Sequence, residues 1–148
     1  MRASFRNGFY AGLLLAVAAG LYLHQLWQPA RQVELHSLHL LKAIERKQWP
    51  KVADFLDEKY QDQWGHDRGV VLSRMREVLH YTRHLRIEAH EAPVSIDQAE
   101  GQWRARITVD GDPNDLMALI KERVNSLETP FDLQWQQKSG KPWAVLPQ

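Results

Sequence analysis

The strongest hydrophobic pattern in the chain is an apolar run near its start. Residues 8–27 read GFYAGLLLAVAAGLYLHQLW and contain no charged side chain. A helix of about 20 residues rises about 30 Å, which matches the hydrocarbon thickness of a bilayer. Arg2 and Arg6 precede the run and only Arg31 follows it closely, so the positive-inside rule places the N-terminus in the cytoplasm. The pattern therefore predicts a transmembrane anchor.

This interpretation divides the chain into three parts. Residues 1–7 form a cytoplasmic segment, residues 8–27 cross the cell (inner) membrane once, and residues 30–148 form a periplasmic domain. A cleaved signal peptide is the alternative, because Ala16-Val17-Ala18 fits a small-residue cleavage site. The apolar character continues to Leu26, beyond that site, which favours the uncleaved anchor.

After residue 29 the apolar positions first recur with the period of a helix. Three helices are predicted, over about residues 30–48, 50–60 and 67–84, and Trp49-Pro50 separates the first two because a residue before proline is pushed out of the helical region. Apolar side chains at helical spacing are expected to face a core. Those positions are Val33, Leu35, Leu38, Leu40, Leu41, Ile44, Val52, Phe55, Leu56, Val71, Met75, Val78 and Leu79.

Beyond His84 the period changes to two, which is typical of one-sided strands. Strands are predicted from Leu85 to Ile96 with a bulge beside Pro93, over residues 101–110, over residues 131–136, and over residues 143–146 after a Ser139-Gly140 turn. The expected inward positions are Ile87, Ala89, Val94, Ile96, Trp103, Ala105, Ile107, Phe131, Leu133 and Trp135. A helix over residues 116–127, capped by Asp112, interrupts the strands. Helices followed by strands predict an α+β domain of helices packed on a mainly antiparallel sheet.

The order of these elements resembles the nuclear transport factor 2-like superfamily, which includes the SnoaL-like and ketosteroid-isomerase-like proteins. The terminal hairpin FDLQWQQKSGKPWAV carries the best match, with Trp135 ending one strand and Trp143 opening the next. The resemblance covers about residues 30–148 and concerns shape rather than chemistry. It implies a cone-shaped domain whose pocket lies between the helices and a curved sheet.

The resemblance also implies which residues lie near that pocket. An enzyme similar to the ketosteroid isomerases would place an acid and a tyrosine inside the cone, but the inward strand positions do not titrate. Tryptophans that bury on the order of 200 Å² each can instead fill the cone. The candidate pocket-lining residues are Tyr60, Glu91, Trp103, Trp135 and Trp143. We therefore expect no catalytic residue and no cofactor.

The opposite, outward sheet face is expected to be polar, and its candidate partner-binding residues are Arg86, His90, Arg104 and Arg106. The planar fork of arginine suits protein interfaces, and related domains commonly pair or bind partners through the open sheet. A solvated face without a partner is the alternative. A homodimer through this face is left open.

Composition removes several other function classes. Without Arg2 and Arg6 the chain has 17 bases and 18 acids, so its charge does not favour nucleic-acid binding. The chain lacks cysteine, which excludes disulfides and thiolate metal sites. The pairs His36/His39 and His80/His84 lack a matching carboxylate, so no metal site is predicted.

These observations predict a binding or scaffold protein rather than an enzyme. The anchor joins the domain with almost no linker, and a fixed geometry of this kind suits an accessory or assembly subunit with protein partners in a membrane complex. The alternative is an enzyme or carrier acting on a small apolar molecule in the cone.

Overall fold

The computed structural model describes residues 2–62, 64–137 and 143–145 of the chain. Five helices occur in this part: α1 (Arg2–Leu26), α2 (Pro29–Glu45), α3 (Trp49–Phe55), α4 (Arg68–His80) and α5 (Asp115–Asn125). The strands are β1 (Arg86–His90), β2 (Val94–Asp97), β3 (Glu100–Asp110), β4 (Phe131–Gln137) and β5 (Trp143–Val145). The predicted α+β class is confirmed. The predicted Ser139-Gly140 turn lies outside the described residues.

The long strand β3 organises the sheet, in which every pair is antiparallel. On one edge, β3 pairs with β2 along its first half and with β1 along its second half, with Val94 opposite Trp103 and His90 opposite Arg106. On the other edge, β3 pairs with β4 only as far as Ala105, which lies opposite Phe131. Among the residues that the structure describes, the second half of β3 therefore has no neighbouring strand on that edge.

A break beside Pro93, where a bulge was predicted, divides the region expected from Leu85 to Ile96 into the two strands β1 and β2. Glu91 adopts the left-handed region with φ 48°, and Pro93 has no N–H with which to continue a ladder. The Pro93 carbonyl still accepts the Arg104 N–H at 3.2 Å, so both short strands remain on the same edge of β3.

The helix α1 contains the segment Gly8–Leu26, which is long and apolar enough to cross a membrane and buries nothing inside the molecule. Only Trp27 and Gln28 separate α1 from α2. Pro29 occupies the first turn of α2, where its missing N–H costs no hydrogen bond. The Gln32 side chain donates to the Leu26 carbonyl at 2.6 Å, which joins the two helices across the junction.

The main core lies between α2 and the first half of β3. Val33 on α2 and Trp103 and Trp135 on the sheet are fully buried, and Trp143 is nearly so. Gly101 lets α2 approach the sheet closely, since a Cβ built there would lie 2.5 Å from Val33 Cγ2. This close approach explains why the tryptophans fill the centre of the domain.

A second, smaller core joins α5 to the second half of β3. Its buried members are Leu85, Val109 and Met117. The side chain of Asn114 caps α5 by accepting the Met117 N–H at 2.7 Å, so the prediction that Asp112 is the cap was wrong. Asp112 instead lies 2.9 Å from His84 Nδ1.

Three of the predicted core positions are exposed. Leu38 is 41% exposed, Val78 is 48% exposed and Phe131 is 47% exposed. Leu38 lies on the outer side of α2, whereas Val78 belongs to α4, which contains no buried residue at all. Helical spacing alone did not reveal that α4 packs only loosely on the domain.

Candidate binding cleft and outer sheet face

An open cleft of about 530 Å³ lies between α4, α5 and the second half of β3. This volume falls within the range of small-molecule sites, about 300–1,000 Å³. Most of the lining is apolar and comes from helices and strands alike. The apolar lining residues are Leu41, Met75, Leu79, Leu85, Ile87, Ile107, Val109, Ile120, Val124, Leu127 and Phe131.

The cleft exists because two elements stop short of closing the domain. The strand β4 begins at Phe131 and pairs with β3 no further than Ala105. The helix α4 directs Met75 and Leu79 towards the gap but leaves both half-buried. An apolar surface of this kind, rimmed by polar groups, is typical of a binding site.

A polar cluster forms the rim of the cleft where it reaches the outer face of the sheet. Its members are His90, Glu91, Arg106 and Thr108. His90 Nε2 lies 3.1 Å from Thr108 Oγ1. Arg106 Nε lies 4.0 Å from Glu91 Oε2, a separation too long for a hydrogen bond.

The open edge of β3 separates the polar cluster from the apolar lining. Strand alternation directs the backbone groups of Ile107 and Val109 to this edge. Asn125 Oδ1 accepts the Val109 N–H at 3.0 Å. No hydrogen bond to the Ile107 backbone on this edge occurs within the described residues. The cleft thus passes from the inner face to the outer face around Ile107.

The five candidate pocket-lining residues lie in different places. Trp103 and Trp135 are fully buried and Trp143 is 4% exposed, so all three belong to the main core. Tyr60 is half-buried against the same core, and burial together with the nearby Asp62 carboxylate raises its pKa. Of the five, Glu91 lines the cleft.

The chemistry at the cleft suits binding better than proton transfer. The Glu91 side chain is 83% exposed, and catalytic acids are usually activated by burial. Glu91 is also the acid among the residues that line the cleft. Within the part of the chain that the structure describes, no three His, Cys, Asp or Glu side chains are grouped to hold a metal ion.

The four candidate partner-binding residues share the outer face of the sheet. His90 lies opposite Arg106, and Arg86 lies opposite Asp110. Arg104 Nε donates to Asp132 Oδ2 at 3.2 Å. Arg104 and Arg106 therefore differ: the first is hydrogen-bonded to a carboxylate, and the second has a carboxylate near it without a hydrogen bond.

Sequence reasoning missed the contribution of α5 to the cleft. Ile120, Val124 and Asn125 all line it, although the helix predicted over residues 116–127 was not among the candidate site elements. The available signal was the spacing of Ile120, Val124 and Leu127, which lie on one side of a helix. Nothing in the sequence indicated that β4 pairs with β3 only as far as Ala105.

Solved structures show that this domain has the nuclear transport factor 2-like fold. An NTF2-like protein from Cytophaga hutchinsonii is 16% identical and matches with a TM-score of 0.55, covering 81% of this chain and 95% of that protein. The CaMKII hub of S. rosetta is 13% identical with a TM-score of 0.56, covering 81% and 93% of the two chains.

Bd1075 of Bdellovibrio bacteriovorus is 10% identical and matches 79% of this chain with a TM-score of 0.59, but the match spans only 38% of Bd1075. At such identities the likeness concerns the fold alone, and one fold serves many functions. No family model matches the chain, and no curated protein sequence matches it.

Proposed function

We propose that this chain is a single-pass membrane-anchored binding protein, an accessory or assembly subunit of a larger complex in the inner membrane. Residues 1–7 are cytoplasmic, residues 8–27 form the anchor, and the domain of residues 30–148 lies in the periplasm. The carrying observation is the junction between α1 and α2. Only two residues separate an apolar helix from the central core helix of the domain.

The short junction supports a fixed position of the domain relative to its anchor helix. Val33, only four residues after Pro29, is already fully buried against the sheet. An anchor helix with no buried residue requires lipid or another protein to cover its apolar surface. A domain held this close to the bilayer meets partners at a defined height and orientation, which suits a subunit better than a mobile enzyme.

Inserting a flexible spacer tests this proposal. Twelve Gly/Ser residues between Gln28 and Pro29 add a flexible coil with a root-mean-square span of about 20 Å and leave both helices intact. After mild-detergent extraction, we expect the native chain to comigrate with a large assembly on native electrophoresis. The spacer variant should migrate apart from that assembly. Mass spectrometry of the band identifies the partners.

The control replaces residues 8–26 by an unrelated transmembrane helix and keeps the junction. If the domain alone makes the contacts, this control retains the assembly, and if α1 contributes, both variants lose it. Migration of the native chain as a lone monomer or homodimer, or an assembly that tolerates the spacer, contradicts the proposal.

The outer sheet face is the surface we propose for the protein partner. It exposes Arg86, His90 and Arg106 beside Arg104. Charge reversal by Arg86→Glu is expected to weaken the assembly, because an arginine at the periphery of a protein interface steers and orients the partner. Arg123→Glu on α5 is the matched control, since its side chain is also exposed but lies away from this face.

The second candidate function is a carrier for a small apolar molecule, favoured by the open cleft of about 530 Å³. The exposed position of Glu91 argues against an acid–base enzyme at this site. A carrier tolerates the Gly/Ser spacer, so the same experiment separates the two candidates.

A further inference from the structure

We infer that the cleft binds a single-chain amphiphile that ends in a carboxylate, with its hydrocarbon chain between α4 and α5 and its head group at Arg106. The inference deepens the carrier candidate and rests on the cleft being a ligand site. It follows from the way in which the cleft joins an apolar interior to a polar rim that contains Arg106, around the open edge of β3.

The interior of the cleft fits a hydrocarbon chain. Ile107 and Val109 form its floor, and Ile120 and Val124 of α5 line one side. The polar groups among the lining residues lie in the rim, apart from the amide of Asn125, which is hydrogen-bonded to Val109 N–H, and the side chain of Thr129. A chain placed here removes half-exposed apolar surface from water, which stabilises the bound state.

The rim fits an anionic head group. The Arg106 guanidinium makes no hydrogen bond within the described residues, and its nearest carboxylate, on Glu91, lies 4.0 Å away on a side chain that is 83% exposed. A ligand carboxylate can replace this loose pair with a two-point hydrogen bond to the guanidinium. His90 lies opposite Arg106 on the neighbouring strand. In one tautomer its ring N–H is a second donor for the ligand carboxylate, beside the guanidinium.

The open edge of β3 connects head group and chain. Ile107 lies between the outward residues Arg106 and Thr108, and its backbone N–H points to this edge without a partner in the described chain. An amphiphile that turns around the edge meets this N–H as a third donor. Molecules without a head group, or with a cationic one, do not use these three donors.

Arg104 provides the matched control for Arg106. Both are exposed arginines on the outer face of β3, two residues apart. Arg104 donates to Asp132 at 3.2 Å and does not line the cleft. A change that acts through general surface charge affects the two variants equally, whereas a change at the head-group site affects Arg106→Gln alone.

The test uses the full chain in lipid nanodiscs with a twelve-carbon carboxylate that carries a terminal diazirine, and with the corresponding alcohol. Photolabelled peptides are mapped by mass spectrometry, and the probe concentration for half-maximal labelling is measured. We expect carboxylate adducts on α4, α5 or β3. Arg106→Gln should raise the half-maximal concentration about tenfold for the carboxylate and leave the alcohol unchanged, while Arg104→Gln has an effect below about twofold.

A cleft-filling variant, Val124→Trp, should abolish these adducts while circular dichroism confirms that it folds. Equal labelling by acid and alcohol, or equal effects of the two arginine variants, overturns the carboxylate assignment but leaves the carrier candidate standing. Adducts confined to α1 overturn the carrier candidate as well. The spacer experiment tests the membrane assembly separately.

Discussion

Among single residues, Gly101 is the position at which α2 packs closely on the sheet. Any Cβ at this position would lie 2.5 Å from Val33 Cγ2 and 3.1 Å from Ile96 Cδ1. Gly101→Ala is therefore expected to lower the free energy of unfolding by about 1–3 kcal/mol, since overpacking forces shifts in well-packed side chains. Chemical denaturation measures the loss.

The double variant Val33→Ala/Gly101→Ala is the control for that prediction. Removing Cγ2 of Val33 creates room for the new methyl group, so the two changes should cost less together than the sum of their separate effects. Strict additivity would show that the two positions do not touch, contrary to the structure.

Glu45 is a second residue whose contribution to stability can be measured, in this case from the pH dependence of unfolding. Its mostly buried side chain accepts the Ile87 N–H at 3.0 Å and pairs with Lys42 Nζ at 2.9 Å. Burial raises the pKa of this carboxyl, but the hydrogen bonds from Ile87 and Lys42 outweigh burial and hold the pKa below its ordinary value of 4.5.

Because its folded-state pKa is lowered, the Glu45 carboxylate stabilises the fold above pH 4.5, and this stabilisation is lost as the pH falls through the lower, folded value. Glu45→Gln should therefore be less stable than the native chain by about 1 kcal/mol at pH 7, and the difference should shrink below pH 4.5. Unfolding curves at pH 7 and pH 3 measure it, and a constant difference contradicts the assignment.

Among the elements, α4 and α5 carry similar caps but differ in how firmly they are held. Asp67 accepts the Val70 N–H at 2.9 Å and Asn114 accepts the Met117 N–H at 2.7 Å. The helix α4 has no buried residue, whereas Met117 of α5 is 2% exposed. Loss of the two caps should therefore have different consequences.

Asn114→Ala is expected to lower the global free energy of unfolding by about 1 kcal/mol. Asp67→Ala should leave the global value nearly unchanged and instead speed amide hydrogen exchange in α4 about fivefold, because α4 opens locally before the rest unfolds. Exchange followed by mass spectrometry resolves the two helices. Equal global losses would show that α4 is as firmly integrated as α5.

The open edge of β3 depends on one side chain of α5. Asn125 Oδ1 accepts the Val109 N–H beside the cleft. Asn125→Ala leaves that donor without its acceptor and should cost about 1–2 kcal/mol, whereas Asn125→Asp keeps an acceptor at the same place and should cost less. Denaturant unfolding of both variants measures the contrast, and equal costs would show that the hydrogen bond contributes nothing.

For the whole molecule, the domain should be stable without its apolar helix. None of the segment Gly8–Leu26 is buried inside the part of the chain that the structure describes, and Gln32 donates a side-chain hydrogen bond to the Leu26 carbonyl across the junction. We expect residues 29–148 to unfold within about 1 kcal/mol of the full chain in nanodiscs. A loss of several kcal/mol would mean that α1 packs on the domain.

The sequence predicted the architecture well because period-2 and period-3.6 patterns report burial directly. Trp103, Ala105 and Val109 alternate with polar residues and are all buried. The helix α4 was predicted at the right place, and Val71, Met75 and Leu79 of its predicted inward face are half-buried. Val78 is exposed, because helical spacing does not show whether another element covers a side chain.

The candidate site was harder to predict from the sequence than the architecture was. The sequence allowed for tryptophans that fill the cone, and Trp103 and Trp135 are indeed buried in the core. It did not indicate the cleft, which lies against the other half of β3. Its position depends on how far β4 pairs along β3 and on where α5 packs. Both are long-range properties that local periodicity does not encode.

The packing of α2 on the end of the chain also has a consequence for biosynthesis. Val33 and Trp143 meet beside Gly101, although about 110 residues separate them along the chain. At roughly 5–20 residues per second, a ribosome needs about 5–20 s to cover that distance. The part of α2 that Trp143 covers therefore leaves the ribosome well before Trp143 does, and the yield of folded protein depends on how well this helix is shielded during translation.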